Sequence, residues 1–344
     1  MRNKIQNLLF LVIGTALSAS ISSCSEKTAE ATDAAMPNEE KVLTIFDGDP
    51  GTDDAYCLFL ASKVLTDIEP DYCVATFGNS TGENTRRNTA ILNKYLGMKS
   101  QLVLGAEKPF NGIEPSCGDF HGTDGLAELQ SSMLERYGIT DENISKNLTL
   151  EQLKDSIKAA DKVNYIAVGP LTSLATLIKD PEVEKKIDWV YAMGGGIDYF
   201  NKDIGTFNTE YNFAGDGQAV VDVFNSKLNI LLAPYDFTRA KFITPEQIDE
   251  FAAVGTYPEM IQILNCNKAS NARTGQANGA ILHDIFPLLY LSNESAFTTK
   301  DEKLTADAHG HIERNANGRT VRVLTDIQDQ YHQKLIKEAF MTGK

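Results

Sequence analysis

The chain has 344 residues, 42% of them hydrophobic and 23% charged, with 25 Gly and 11 Pro. That length and mix fit one large domain or two ordinary ones with a sizeable core, and they exclude a mostly disordered or collagen-like chain. Asp and Glu outnumber Lys and Arg by 47 to 32, a net charge of −15. Nucleic acid is therefore not an expected partner, whereas polyvalent cations are welcome wherever carboxylates cluster.

Residues 1–23 read as a targeting segment. Arg2 and Lys4 precede a short apolar run from Leu8 to Ala19, too short for a stable transmembrane helix. Ile21-Ser22-Ser23-Cys24 resembles a bacterial lipobox, and residues 24–40 form a polar tether. The alternative is an ordinary secretory signal. The expectation is an exported protein touching the membrane only through a lipid on Cys24, on the periplasmic or cell-surface side. The spacing of Cys57, Cys73, Cys117 and Cys266 suggests neither a zinc site nor a disulfide framework. Cys57 and Cys73 lie in apolar runs and should pack as small hydrophobes.

From Lys41 onward, short apolar runs alternate with helical patterns. Strands are expected at VLTIF (42–46), YCVATF (72–77), QLVLG (101–105), NYIAVG (164–169), DWVYAM (188–193) and LNILLAP (228–234). Helices are expected over 54–64, 85–96 and 171–179, from Gly217 onward, and through most of 240–300, with a small hairpin in 304–325 before a terminal helix. This alternation predicts a single α/β domain over 41–344 with a mostly parallel, doubly wound, Rossmann-like sheet. Such sheets bind ligands beyond the carboxyl ends of their strands, where these runs end in Gly, Asp, Asn or Pro.

One of those ends is Asp47-Gly48-Asp49-Pro50-Gly51-Thr52-Asp53-Asp54. Residues two apart on a strand share a side, so Asp47 and Asp49 can converge; Asp53 and Asp54 fall at a helix N-terminus. Asx turns and a helix cap would account for one or two of these aspartates. Four repel one another unless a cation neutralises them, and a flexible all-oxygen set favours Ca²⁺ or Mg²⁺ over zinc, leaning towards Ca²⁺.

The motif D-x-D-x-G-x-D-D-A, complete from Asp47 to Ala55, resembles the signature of the inosine/uridine-preferring nucleoside hydrolases. The resemblance continues in order through Phe77-Gly78-Asn79, His121 to Gly125, Gly169-Pro170-Leu171-Thr172, Met193 to Gly196, Glu210-Tyr211-Asn212 and His283-Asp284, covering about 41–300. It implies a nucleoside hydrolase fold and calcium-dependent hydrolysis of the N-glycosidic bond of ribonucleosides, releasing base and ribose for salvage. It further implies Ca²⁺ ligands on Asp49, Asp54, Asp284 and the carbonyl of Val168, with Asp49 as general base on a calcium-held water. Ribose contacts map onto Asp53, Asn79, Glu210, Asn212 and Asp284, which supply the acceptors and donors that sugar hydroxyls need. His283 matches a position where the departing base is protonated; the alternative is a buried histidine held by a neighbouring carbonyl. His121 is expected to bind or gate rather than catalyse. A homodimer or homotetramer is implied too.

One element departs from the family pattern. The usual Gly-Asn pair before Glu-x-Asn is missing from Gly205 to Glu210, so Asn208, or else Asn201, is the candidate for the 5′-hydroxyl. Phe120, Tyr199, Phe200, Phe207 and Tyr235 are candidates for stacking on a base. Gly194 to Gly196 could let the backbone approach a ligand or make a plain turn, and His309 and His311 suit a solvated turn better than a metal. Two other functions compete. A haloacid dehalogenase-type phosphatase also opens with Asp-x-Asp, but Gly51 and the Asp53-Asp54 pair are foreign to it. A surface lipoprotein could bind ribosides without cleaving them, yet the implied ligands and base are all present.

Overall fold

The computed structural model describes residues 40–112, 118–199 and 210–343. Every apolar run expected to be a strand is one. β1 is Val42–Gly48, β2 Tyr72–Ala75, β3 Gln101–Leu104, β4 the short Leu148–Thr149, β5 Lys162–Ala167, β6 Ile187–Met193 and β7 Asn229–Ala233. They form one parallel sheet in the order β4-β3-β2-β1-β5-β6-β7. After Val42, every residue of β1 is buried, as expected of a central parallel strand covered on both faces.

Alternation along the strands sorts the core into two layers. Phe46, Ile166 and Leu231 face the helices Thr52–Lys63, Pro258–Thr274, Ile285–Ser292 and Tyr331–Met341. Their neighbours Ile45, Tyr165 and Leu232 face the helices Leu150–Ala159, Thr172–Leu177 and Gly217–Phe224. Cys57 and Cys73 are buried and unbridged in the first layer, and Cys266 is also unbridged; Cys117 lies outside the described residues. Among the described residues no helix is long and apolar enough to cross a membrane.

The strand order positions the site. The chain winds outward from β1 to β4, then returns to place β5 on the other side of β1. Connections after β1 and after β5 therefore leave in opposite directions, and a crevice opens between the two strand ends. The backbone N–H of Val168 donates to the Asp47 carbonyl at 2.8 Å across that junction.

The late hairpin is present and longer than expected. After the separate pair β8 (Phe242–Ile243) and β9 (Ala280–Ile281), β10 (Phe297–Ala306), β11 (Ile312–Arg314) and β12 (Arg319–Ile327) extend the main sheet. β12 runs parallel to β7, pairing Arg322 with Leu231 and Val323 with Leu232. The charged sequence FTTKDEKLTA of β10 is half exposed, with only Leu304 buried, the composition of strands near a sheet edge, and so it carries no apolar strand signal.

Candidate active site

β1 delivers its carboxylates to the crevice one by one. Asp47, still in the strand, is buried, and its carboxylate accepts hydrogen bonds from Thr76 Oγ1 at 2.5 Å and Tyr165 OH at 2.7 Å. Burial pushes its pKa up to about 7 against those two bonds. One of the four clustered aspartates is thus engaged in tying β1 to β5 and to the residue following β2.

Asp49 follows the strand and is fully buried. Its Oδ2 accepts from Asn79 N at 2.6 Å, while Oδ1 has no protein partner. The carboxylate fits between two glycines: a Cβ on Gly169 would stand 2.7 Å from Asp49 Oδ1, and one on Gly78 would overlap Oδ2. Gly169→Ala is accordingly expected to displace Asp49 and lower catalytic turnover by about 10²-fold, the scale of an ångström-sized misplacement. Turnover with an intact thermal transition is the measurement; wild-type turnover would remove the steric argument.

Asp54 lies in the first turn of the helix Thr52–Lys63. Its Oδ2 accepts from Gly51 N at 2.9 Å and Asn79 Nδ2 at 3.0 Å, and its Oδ1 from Asp49 N at 3.2 Å. Asp53 leaves Oδ1 without a hydrogen-bond partner. Asp284, which precedes the helix Ile285–Ser292, completes the group: oxygens of Asp53, Asp54 and Asp284 lie within 4.8 Å of one another, all buried. Burial, then mutual repulsion, raises these acids: Asp53 to about 7, and Asp49 and Asp284 well above the usual carboxylate range. Burial raises Asp54 to about 6. A dry all-oxygen set with orphaned carboxylate oxygens fits a hard divalent cation and does not fit a thiolate- or imidazole-preferring metal. It is Asp53, not Asp49, that closes the 4.8 Å group, with Asp49 directly beside it. The Val168 carbonyl accepts from Asn212 Nδ2 at 2.9 Å, which leaves it a second lone pair.

The polar rim comes from later segments. Glu210 caps a short helix, its oxygens accepting from the backbone N–H groups of Gly195, Asn212 and Phe213 at 2.8, 2.9 and 3.2 Å. Asn212 is buried against Val168 and Met193. A Cβ on Gly194 would collide with Phe213 and one on Gly195 with Ile312, so these glycines make room for packing rather than for ligand; Gly195 at φ +65° also needs the left-handed region. Asn208, Asn201, Phe200 and Phe207 lie outside the described residues.

Two histidines flank the carboxylates. His283 is half-buried, with Nδ1 2.7 Å from Thr238 Oγ1 and its ring stacked on Tyr235 at 5.3 Å and 21°; burial lowers its pKa to about 4. The partner expected for a buried histidine was a carbonyl; here it is the Thr238 hydroxyl. His121 is buried, with Nδ1 3.8 Å from Asp53 Oδ1, and burial, then His283, lowers it to about 3. Tyr235 and Tyr199 lie 4.8 Å apart with the Arg239 guanidinium over Tyr199, and Phe120 sits 4.9 Å from the His121 ring. His309 and His311 stand in the turn after β10, where His311 pairs with Asp307 at 3.1 Å, and they are not part of the buried carboxylate group.

Fold and site together define a doubly wound α/β protein with a buried polycarboxylate pocket at its switch point. Residues 44–338 match the model of the family described as inosine-uridine preferring nucleoside hydrolase, and the chain belongs to that family. It is an enzyme of the nucleoside hydrolase class, an N-glycosidase. It is 28% identical over 281 residues to the non-specific ribonucleoside hydrolase RihC of Escherichia fergusonii, covering 78% of this chain and 86% of that protein. RihC of Escherichia coli K12 is 27% identical over 277 residues with the same coverage. Among solved structures, the purine-preferring ribonucleoside hydrolase of Gardnerella vaginalis superposes with TM-score 0.72 at 20% identity, covering 88% of this chain and 98% of that one. The inosine-uridine preferring nucleoside hydrolase of Bacillus anthracis gives 0.70 at 17% identity, covering 88% and 99%. These two establish the shared fold.

Proposed function

We propose that the chain is a calcium-dependent ribonucleoside hydrolase that releases free base and ribose, with Asp49 as general base. The observation that carries this reading is the carboxylate pocket at the switch point, where Asp49 Oδ1 and Asp53 Oδ1 are buried without partners. Relatives named for non-specific and for purine-preferring ribonucleoside hydrolysis support ribose as the constant part of the substrate.

Asp49, Asp54, Asp284 and the Val168 carbonyl are the proposed ligands, and the proximity of Asp53 to Asp54 and Asp284 supports a role for Asp53 beside them. When bound, the divalent cation supplies positive charge that offsets the carboxylates and acidifies water. Asp49 Oδ1 takes the proton of the attacking water. Asp53, Asn79, Asn212, Asp284 and the remaining acceptor capacity of Glu210 hold the sugar hydroxyls, and Asn208 is assigned to the 5′-hydroxyl. Positive charge develops on the ribose as the bond to the base breaks, and the surrounding carboxylates stabilise it. His283 is assigned proton delivery to the departing base; burial holds it neutral in the free protein, so it must first gain a proton in the substrate complex, its ring braced by Tyr235 and Thr238. His121 binds the nucleoside.

Incubation with inosine tests the reaction: free hypoxanthine and ribose are expected. Tight binding of inosine with no product would replace this reading with that of a riboside-binding protein. Residues 41–344 are the proposed catalytic domain, acting as a homodimer or homotetramer and exported behind the 1–23 signal. If Cys24 carries the lipid, Cys24→Ser moves the protein from the membrane to the soluble fraction. An unchanged membrane fraction would discard the anchor.

A further inference from the structure

A buried hydrogen-bond chain connects the helix Pro258–Thr274 to His121, and each of its directions is fixed by an obligatory donor. The backbone N–H of Ile281 donates to Asn267 Oδ1 at 2.8 Å, and Asn271 Nδ2 donates to the same oxygen at 2.7 Å. The other end of the Asn267 amide is therefore its NH₂, which lies 2.9 Å from Thr52 Oγ1. Thr52 Oγ1 accepts there, which leaves its single hydrogen free to point at His121 Nδ1, 2.9 Å away. The backbone N–H of Thr52 also donates to Nδ1 at 3.1 Å. Nδ1 faces two donors and must present its lone pair; the proton of the neutral ring resides on Nε2. Asn267, Asn271 and Thr52 are all essentially inaccessible to solvent, so water does not scramble these directions.

We propose that Asn267 is a positioning residue that acts through Thr52 to lock His121 as a donor-only imidazole, offering the nucleoside a fixed Nε2–H. His121 then cannot serve as a proton acceptor towards substrate. The proposal rests on the hydrolase reading only for what Nε2–H meets; the tautomer itself is a property of the protein.

The test is the ¹⁵N spectrum of the histidine-labelled full chain, which has five histidines, with His121 assigned from its loss in His121→Gln. Wild-type protein at neutral pH should show His121 with Nδ1 unprotonated and Nε2 protonated. In Asn267→Asp, a carboxylate receiving Ile281 N, Asn271 Nδ2 and the Thr52 hydroxyl stays charged and turns that hydroxyl away from His121. Nδ1 then keeps only the Thr52 N–H, 3.1 Å away, and meets a lone pair of Thr52 Oγ1, so part of the proton population should move to Nδ1, with kcat falling about 10- to 100-fold and KM changing little. Thr52→Ser retains the hydroxyl and should retain the wild-type tautomer. An Nδ1 proton in the wild-type spectrum overturns the proposal, as does a His121 signal unmoved by Asn267→Asp. The expected spectra without any nucleoside cleavage would retain the lock and refute the hydrolase reading instead.

Discussion

Asp49→Asn is expected to reduce ribose release by roughly 10²- to 10⁴-fold, the range of a lost general base, while the protein stays folded. The variant removes proton acceptance with little change in the surrounding packing; because Asp49 is also a proposed cation ligand, rates are compared at saturating calcium. An Asn side-chain oxygen can still accept from Asn79 N, as Asp49 Oδ2 does at 2.6 Å. The atom altered is Oδ1, which has no protein partner, and an amide there cannot take a proton from water. Steady-state kinetics on one nucleoside, with the thermal transition recorded alongside, checks the expectation. A rate within a few-fold of wild type would remove Asp49 from the chemistry.

Asp284→Asn should separate stability from function. Without a cation, Asp53, Asp54 and Asp284 are buried together and their pKa values are raised, to about 7 for Asp53 and about 6 for Asp54, from an ordinary 3.8. A folded state that holds these protons more tightly than the unfolded chain is stabilised by them at low pH. That advantage is lost as pH rises through the folded pKa values, so chelated protein should weaken between about pH 4 and pH 8. At pH 8 chelated Asp284→Asn should be more stable than chelated wild type, since one buried acid has become an amide that can donate to Asp53. Calcium should reverse the order. At about 100 times its Kd, a cation stabilises its site by about 2.7 kcal/mol, a gain the variant should largely forfeit along with its activity. Unfolding at pH 5 and pH 8, with and without calcium, measures all four corners. Chelated wild type growing more stable towards pH 8 would contradict the account of the pocket.

The central sheet was legible because its strands are buried on both faces and read as apolar runs. β10 and β12 were recognisable only as part of a small hairpin, since charged and polar residues interrupt both strands and half of β10 is exposed near the sheet edge. The carboxylate motif was visible because it is contiguous, but the separate duty of Asp47 was not: it depends on Thr76 and Tyr165, brought in by pairing of β1 with β2 and β5. Asp284 and His283 came only from family resemblance, because nothing local marks them as neighbours of Asp53. The partners of the histidines, Thr52, Thr238 and Asn267, gave no signal of their own. Asn267 and Thr52 are 215 positions apart, although the helical spacing of Asn267 and Asn271 does put two amides on one buried face. Gly194 and Gly195 could be read as a turn, but their packing against Phe213 and Ile312 required the fold.

The most direct measurement is ribose release from inosine, uridine, adenosine and cytidine by protein lacking residues 1–24, first with a calcium chelator and then after calcium is restored. Chelation is expected to abolish release and calcium to return it, for at least one of the four nucleosides. Release that persists unchanged after exhaustive chelation would contradict the proposed role of the carboxylate pocket. No release from any of them with calcium present would contradict the proposed reaction.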